Sequence, residues 1–104
     1  MERAATVAVI TLFDMQFQPE FARAGLDATS AAVRDTRAFD GSTGVRVIVD
    51  EKDPAHVIIV EQWQTESQDA AYQTWRAGDG LPADIIAMMA RPATTTRFTV
   101  SLDL

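Results

Sequence analysis

Seven residues near the middle of the chain decide its fold: Val57-Ile58-Ile59-Val60-Glu61-Gln62-Trp63. A run this rich in β-branched residues predicts a strand, and successive side chains of a strand point to opposite faces of its sheet. Glu61 and Trp63 therefore share one face with Val57 and Ile59, and we expect that face to lie under helices. The even-numbered residues make the other face apolar as well, so both faces need a cover.

The residues before this strand predict its antiparallel partner. Val45–Val49 is a second β-branched run, and only the charged segment Asp50–Pro54 separates the two runs. A connection this short allows only a hairpin. The acidic residues Asp50, Glu51 and Asp53 lack the spacing of a calcium-binding loop, so we predict a solvated turn.

The first part of the chain predicts a strand and a helix. Thr6–Met15 is apolar and β-branched, and it fits a buried strand better than a signal peptide because no Ala-x-Ala cleavage site follows. Gln18-Pro19-Glu20 opens a helix that Asp40-Gly41 ends. Helical spacing predicts a buried stripe made of Phe17, Phe21, Ala24, Ala28 and either Ala31 or Ala32.

The last part of the chain predicts two helices and a strand. Thr65-Glu66-Ser67-Gln68 matches a capping box, and the helix that it starts ends at Gly78. The inward residues of that helix are expected to be Ala71, Tyr72 and Trp75. A short apolar helix lies between Pro82 and Pro92, and Thr94–Leu102 follows as a β-rich strand.

The order β-α-β-β-α-α-β is the split βαβ pattern of ferredoxin-like folds. We predict one α+β domain over residues 1–104, with a four-stranded antiparallel sheet and its helices on one face. The other face would expose of order a few hundred Å2 of apolar surface, which monomers seldom tolerate. Burying that area at ~25 cal/mol per Å2 contributes several kcal/mol. We therefore expect a homodimer joined through this sheet face.

The composition excludes several classes of function. Fifteen acidic against nine basic residues give a formal charge of −6, which argues against nucleic acid and anionic membranes as partners. The chain has no Cys and a single His56, so it can build neither a thiolate site nor a two-histidine metal site. His56 follows the charged turn, where it is either solvated or, in a pocket, able to titrate near neutrality. No apolar run reaches the roughly 20 residues of a membrane span. We predict a cytoplasmic protein without metal or other cofactor.

Glu61 is the main candidate for chemistry. Desolvation raises the pKa of a carboxyl group on an apolar strand face, so Glu61 could act as a general base. The alternative is an ion pair with an arginine such as Arg37, Arg46 or Arg97.

Large side chains are expected to surround this carboxylate. Trp63 forms either a pocket wall or a core anchor. The hydroxyl group of Tyr72 either donates a hydrogen bond to an oxyanion or lies at the rim of the packing. Trp75, Met88 and Met89 either fill the core or line an adaptable cavity.

Three segments of the chain carry a resemblance: Thr36-Arg37-Ala38-Phe39-Asp40-Gly41, Val57–Trp63, and Asp69-Ala70-Ala71-Tyr72-Gln73-Thr74-Trp75-Arg76. The most recognisable part is a Val-Glu-x-Trp strand end with an aromatic residue nine positions later. In these segments the chain resembles the antibiotic biosynthesis monooxygenase family of dimeric α/β-barrel proteins. The family's element order agrees with the one predicted above.

The resemblance implies a range of activities. Some members oxygenate polyketide anthrones and phenols with O2 and without flavin, haem or metal, whereas others degrade haem, isomerise lactones or process a quorum-sensing signal. Haem degraders carry an Asn four residues before the Trp and a His on the next helix. This chain has Ile59 at that position and no histidine in Gln68–Ala77. Haem degradation is thus disfavoured.

We therefore expect a cofactor-independent monooxygenase that uses O2 on a small aromatic or polyketide-like molecule. Its catalytic residues would be Glu61 and Tyr72. Its substrate-binding residues would be Ile59, Trp63, Trp75, Met88 and Met89. One alternative is a cofactor-free isomerase or cyclase that uses the same carboxylate without O2. Another is a dimer that binds a small ligand without catalysis.

Overall fold

The computed structural model of the protein describes residues 9–100. Its elements are β1 (Val9–Gln16), α1 (Ala22–Ala38), β2 (Ser42–Asp50), β3 (Asp53–Trp63), α2 (Glu66–Ala77), α3 (Ala83–Met88) and β4 (Thr94–Thr99). The strands form one antiparallel sheet in the order β2-β3-β1-β4. The predicted α+β ferredoxin-like fold is confirmed. The parts of the first and last predicted strands at residues 6–8 and 101–102, and the predicted absence of a signal peptide, lie outside the described residues.

Both hairpin strands extend beyond their predicted runs, because the turn between them is only Glu51-Lys52. Asp50 pairs with Asp53 at the base of this turn. The carboxylate of each accepts a hydrogen bond from the backbone N–H group two residues later. These bonds satisfy backbone N–H groups beyond the end of the apolar pattern. Hydropathy alone therefore underestimates the length of both strands.

The buried face of α1 differs from the predicted stripe. The buried residues are Gly25, Thr29, Val33 and Thr36. Ala24 and Ala31 of the predicted stripe are exposed. Thr29 donates its hydroxyl to the carbonyl oxygen of Gly25 at 2.7 Å, so its polar atom is satisfied inside the helix. A threonine can therefore replace an apolar residue on a buried helix face.

Gly25 allows α1 to approach Phe17. A Cβ atom at this position would lie 2.7 Å from carbons of the Phe17 ring, which is fully buried. We expect Gly25→Ala to destabilise the protein by about 1–3 kcal/mol through overpacking, despite the better helix propensity of alanine. Urea denaturation measures the change. Gly44→Ala is the control, because its nearest contact would be at 3.8 Å. Equal stability of the two variants would contradict this tight packing.

The helices cover one face of the sheet. The strand residues on that face include Val9, Met15, Val57 and Trp63, none of which is more than 1% exposed. The opposite face carries six apolar side chains, here called the outer-face band: Ile10, Leu12, Ile48, Ile58, Val60 and Phe98. None of the helices within residues 9–100 is long and apolar enough to cross a membrane.

Candidate functional site

A cavity of about 220 Å3 lies between the covered face of the sheet and the helices. Its apolar lining is Phe13, Met15, Ala32, Val33, Ile59, Ala77, Leu81, Pro82, Ile85, Ile86 and Met89. Its polar lining is Thr36, Glu61, Tyr72, Gln73 and Arg76. A cavity of about 150 Å3 is enough for a benzene ring. This one suits an aromatic molecule of one or two rings.

Glu61 projects from β3 into this lining and is 2% exposed. Its Oε1 atom accepts hydrogen bonds from Trp63 Nε1 at 3.4 Å and from Gln73 Nε2 at 3.2 Å. No hydrogen bond among residues 9–100 uses Oε2, and no buried side-chain oxygen of these residues lacks a partner. The Oε2 atom therefore opens to the cavity, where a ligand can reach it.

Burial raises the pKa of Glu61 to about 7. Desolvation is the largest cause, and the negative charge of Asp69 acts in the same direction. The hydrogen bonds from Trp63 and Gln73 favour the ionised form and offset part of this rise. A carboxyl group that titrates near neutrality can both take up and return a proton at physiological pH.

The predicted alternative, an ion pair of Glu61 with Arg37, Arg46 or Arg97, is wrong for these three arginines. No salt bridge among residues 9–100 includes Glu61. Arg97 instead binds Asp69 at 2.7 Å, and Asp69 also accepts a hydrogen bond from Gln73 at 2.9 Å. The Gln73 amide thus bridges the two carboxylates and holds Glu61 in place.

Tyr72, the second candidate for catalysis, lies on α2 and is 3% exposed. Its hydroxyl oxygen is 2.7 Å from the Thr36 hydroxyl, and Arg76 Nε donates a hydrogen bond to it at 2.6 Å. Burial raises the pKa of Tyr72, so its hydroxyl group keeps its proton at physiological pH. The phenol can then donate a hydrogen bond but does not serve as a base.

The other predicted site residues divide into two groups. Ile59 and Met89 line the cavity, whereas Trp63, Trp75 and Met88 do not. Trp63 is fully buried, with its ring centroid 4.9 Å from that of Tyr72. Trp75 stacks under the Arg76 guanidinium at 4.6 Å. Met88 packs against the core. The two tryptophans therefore support the cavity wall from behind.

His56 lies on the uncovered sheet face, away from the cavity. Its Nε2 atom is 2.8 Å from Asp14 and its Nδ1 atom 3.0 Å from Asp50. The hydrogen bond with Asp50 is the largest cause of its raised pKa. His56 is thus not a freely solvated side chain, because two carboxylates hold it. It lies outside the cavity that contains Glu61 and lines a separate cavity of about 200 Å3 on the uncovered face. No three or more His, Asp or Glu side chains of residues 9–100 are placed to hold a metal ion.

Three polar residues of the cavity were not among the predicted site residues: Thr36, Gln73 and Arg76. On α2, Asp69, Tyr72, Gln73 and Arg76 follow the i, i+3, i+4, i+7 spacing of one helix face. That spacing is the signal that points to Gln73 and Arg76, whereas Thr36 lies on α1 and outside this pattern. Hydropathy assigns such polar residues to solvent, so only their tertiary contacts show that this face turns inward.

The profile of a family described as antibiotic biosynthesis monooxygenase matches residues 8–81, a range that includes β3 and α2. No curated protein matches the sequence.

Several solved structures share the fold. A structure named antibiotic biosynthesis monooxygenase superposes with a TM-score of 0.77 at 19% identity, covering 89% of this chain and 98% of its own. A protein of unknown function from Nitrosomonas europaea gives 0.79 at 14% identity, covering 97% of both chains. A protein from Mycobacterium tuberculosis gives 0.74 at 18% identity, covering 93% of this chain and 97% of its own. Identities this low establish the shared fold alone.

Proposed function

This chain belongs to the antibiotic biosynthesis monooxygenase family, and from this premise we propose that it oxidises a small aromatic molecule with O2 and without a cofactor. The observation that carries the proposal is the state of Glu61. Its carboxyl group is buried, keeps one oxygen open to an apolar cavity and has a pKa of about 7. These properties suit a general base that acts on a weakly acidic substrate.

The first step is removal of a proton from the substrate. Glu61 Oε2 takes the proton of a ring hydroxyl group, or of an activated carbon, and leaves an electron-rich anion. The apolar side chains around the ring exclude water from that anion. Tyr72 donates a hydrogen bond to the negatively charged oxygen.

Oxidation then draws its electrons from the substrate. The anion transfers one electron to O2, and the resulting radical and superoxide combine at a ring carbon. Protonated Glu61 returns its proton to the peroxide. Loss of the proton on that ring carbon and cleavage of the O–O bond release water and leave a quinone. One atom of O2 enters the product, the other leaves as water, and no external reductant is consumed.

The remaining site residues act in two ways in this proposal. Ile59 and Met89 contact the substrate ring, since both line the cavity. Trp63 fixes the carboxylate through its indole N–H group, and Trp75 and Met88 keep the wall rigid.

The proposal includes a homodimer in which two copies meet through their uncovered sheet faces. The outer-face band supports it, because Ile48 and Phe98 remain 47% and 49% exposed in the isolated chain. Apolar patches of a few hundred Å2 commonly mark protein contact sites. Pairing through this face leaves the cavity on the opposite side of the sheet open to substrate.

Oxygen uptake tests the proposed function. With a panel of one- and two-ring phenols, we expect at least one substrate to consume O2 in step with quinone formation, followed by its absorbance, and no product under nitrogen. Product formed equally well under nitrogen would contradict the oxygenase and indicate an isomerase or cyclase that uses the same base. Ligand binding without turnover across the panel would instead indicate a non-catalytic dimer.

A further inference from the structure

Two hydroxyl groups in the cavity wall form a hydrogen-bonded pair, and one of their two O–H donors has no acceptor among residues 9–100. Tyr72 on α2 and Thr36 on α1 meet at 2.7 Å. Arg76 donates Nε–H to the tyrosine oxygen at 2.6 Å and Nη2–H to the threonine oxygen at 3.4 Å. A guanidinium group has only donors, so both hydroxyl oxygens act as acceptors in these bonds.

The proton count then leaves one donor free. Two hydroxyl groups have two protons, and the bond between them uses one. Within residues 9–100, neither hydroxyl group donates any other hydrogen bond. The carbonyl oxygen of Ala32, one turn before Thr36, accepts Arg76 Nη2–H at 2.9 Å. One O–H donor is therefore left whichever hydroxyl donates to the other. Because both residues line the cavity, the free donor is available to a ligand there.

Arg76 makes this corner of the cavity positive. Its partners are all uncharged: the two hydroxyl groups and the carbonyl oxygens of Ala32 and Gly80. No salt bridge among residues 9–100 includes Arg76, which is half-buried. Its charge acts on the Glu61 carboxylate and on whatever else occupies the cavity. An anionic oxygen would gain a charge-assisted hydrogen bond there.

We propose that Thr36, Tyr72 and Arg76 form an oxyanion site that binds the ionised hydroxyl group of an aromatic substrate. The hydroxyl pair offers one free O–H donor, which suits the one anionic oxygen of a phenolate. The fifth N–H of Arg76, on Nη1, also has no acceptor among residues 9–100. This inference rests on the proposed function for its role in turnover. It adds Thr36 and Arg76 as specificity-determining residues and sets which end of the ring points toward α1 and α2.

Binding of 4-nitrophenol tests the site without turnover, because its phenol and phenolate forms absorb at different wavelengths. The titration is run in Glu61→Gln, which removes the other group that titrates near neutrality in the cavity. We expect the phenolate to bind at least about tenfold more tightly than the phenol, as charge-assisted hydrogen bonds do. Nitrobenzene, which lacks the hydroxyl group, reports on the cavity itself, and 4-nitrobenzoate tests for a carboxylate site.

The matched variant is Thr36→Val combined with Tyr72→Phe, which removes both hydroxyl groups with little change in shape. Arg76 and its charge remain in this variant, so the preference for phenolate should fall at least about threefold but not vanish, and nitrobenzene should bind within about twofold of the parent. Thr36→Ser should keep the preference. If the double variant does not fold, Arg76→Gln replaces it, and we expect the preference to fall at least about threefold without the charge.

Three results would overturn the oxyanion site: no preference for phenolate in the parent, the same preference in the folded double variant, or tighter binding of 4-nitrobenzoate than of 4-nitrophenolate. The two proposals fail separately. A phenolate preference without O2 uptake by any phenol would reject the oxygenase and keep the site, whereas O2 uptake without the preference would do the reverse.

Discussion

Glu61→Gln is expected to lower turnover at least about a hundredfold, because a general base contributes roughly 10²–10⁴ to the rate. Glutamine has the same size and can accept the hydrogen bonds of Trp63 and Gln73 on its carbonyl oxygen, but it cannot take a proton. The rate of O2 uptake at saturating substrate measures the loss. Glu66→Gln is the matched control, since that carboxylate is 73% exposed at the start of α2. Turnover unchanged by Glu61→Gln would remove Glu61 from the mechanism.

The same substitution is expected to stabilise the fold above neutral pH. The pKa of Glu61 is about 7 in the folded protein, against 4.5 for a glutamate side chain in water. Between these values the folded protein holds a proton that the unfolded chain has lost, so stability falls as pH rises through this window. The whole shift corresponds to about 3 kcal/mol.

Urea denaturation of the wild-type protein and of Glu61→Gln over a range of pH values distinguishes this charge effect from a change in packing. Above pH 7, Glu61→Gln should unfold with a free energy higher by about 3 kcal/mol. The difference should shrink as pH falls and vanish below pH 4.5, where the glutamate is protonated in both states. A constant difference at all pH values would show that the charge of Glu61 does not cause it. Turnover should follow the opposite trend and rise with pH, because the base acts when ionised.

Ile48→Asp is expected to dissociate the proposed dimer. Ile48 belongs to the outer-face band, and a carboxylate at its position would lose its hydration in both copies when the faces meet. We expect the dissociation constant to rise at least about a hundredfold, which corresponds to roughly 3 kcal/mol. Sedimentation velocity over a range of protein concentrations measures the change.

The neighbouring residue offers a matched control for the dimer. Val49 is 42% exposed, close to the 47% of Ile48, but its side chain points to the other face of the sheet. Val49→Asp should leave the dimer intact, so dissociation by both variants would indicate general destabilisation instead. A wild-type chain that sediments as a monomer at micromolar concentration would contradict the dimer directly.

The alternation of residues 57–63 was enough to place Glu61 and Trp63 on the buried face of β3. A strand offers only two orientations, and its period of two residues assigns each side chain to one of them. The element order and the short hairpin then limited the topology to the ferredoxin-like sheet that is observed. Hydrophobic periodicity and short connections were therefore sufficient to predict the fold.

The rotation of each helix about its axis, and the hydrogen-bond partners of the polar side chains, could not be predicted from periodicity. The sequence pattern leaves the rotation of a helix about its axis open by tens of degrees. In α1, Gly25 is buried because the Phe17 ring packs against it. Thr29 and Thr36 are buried because their hydroxyl groups form hydrogen bonds. The sequence likewise left open whether an arginine pairs with Glu61. In the structure, Arg97 of β4 pairs with Asp69 instead. Such contacts join residues far apart in the chain, and their distances depend on how whole elements pack. Local periodicity assigns a side chain to a face, but only packing decides what it meets there.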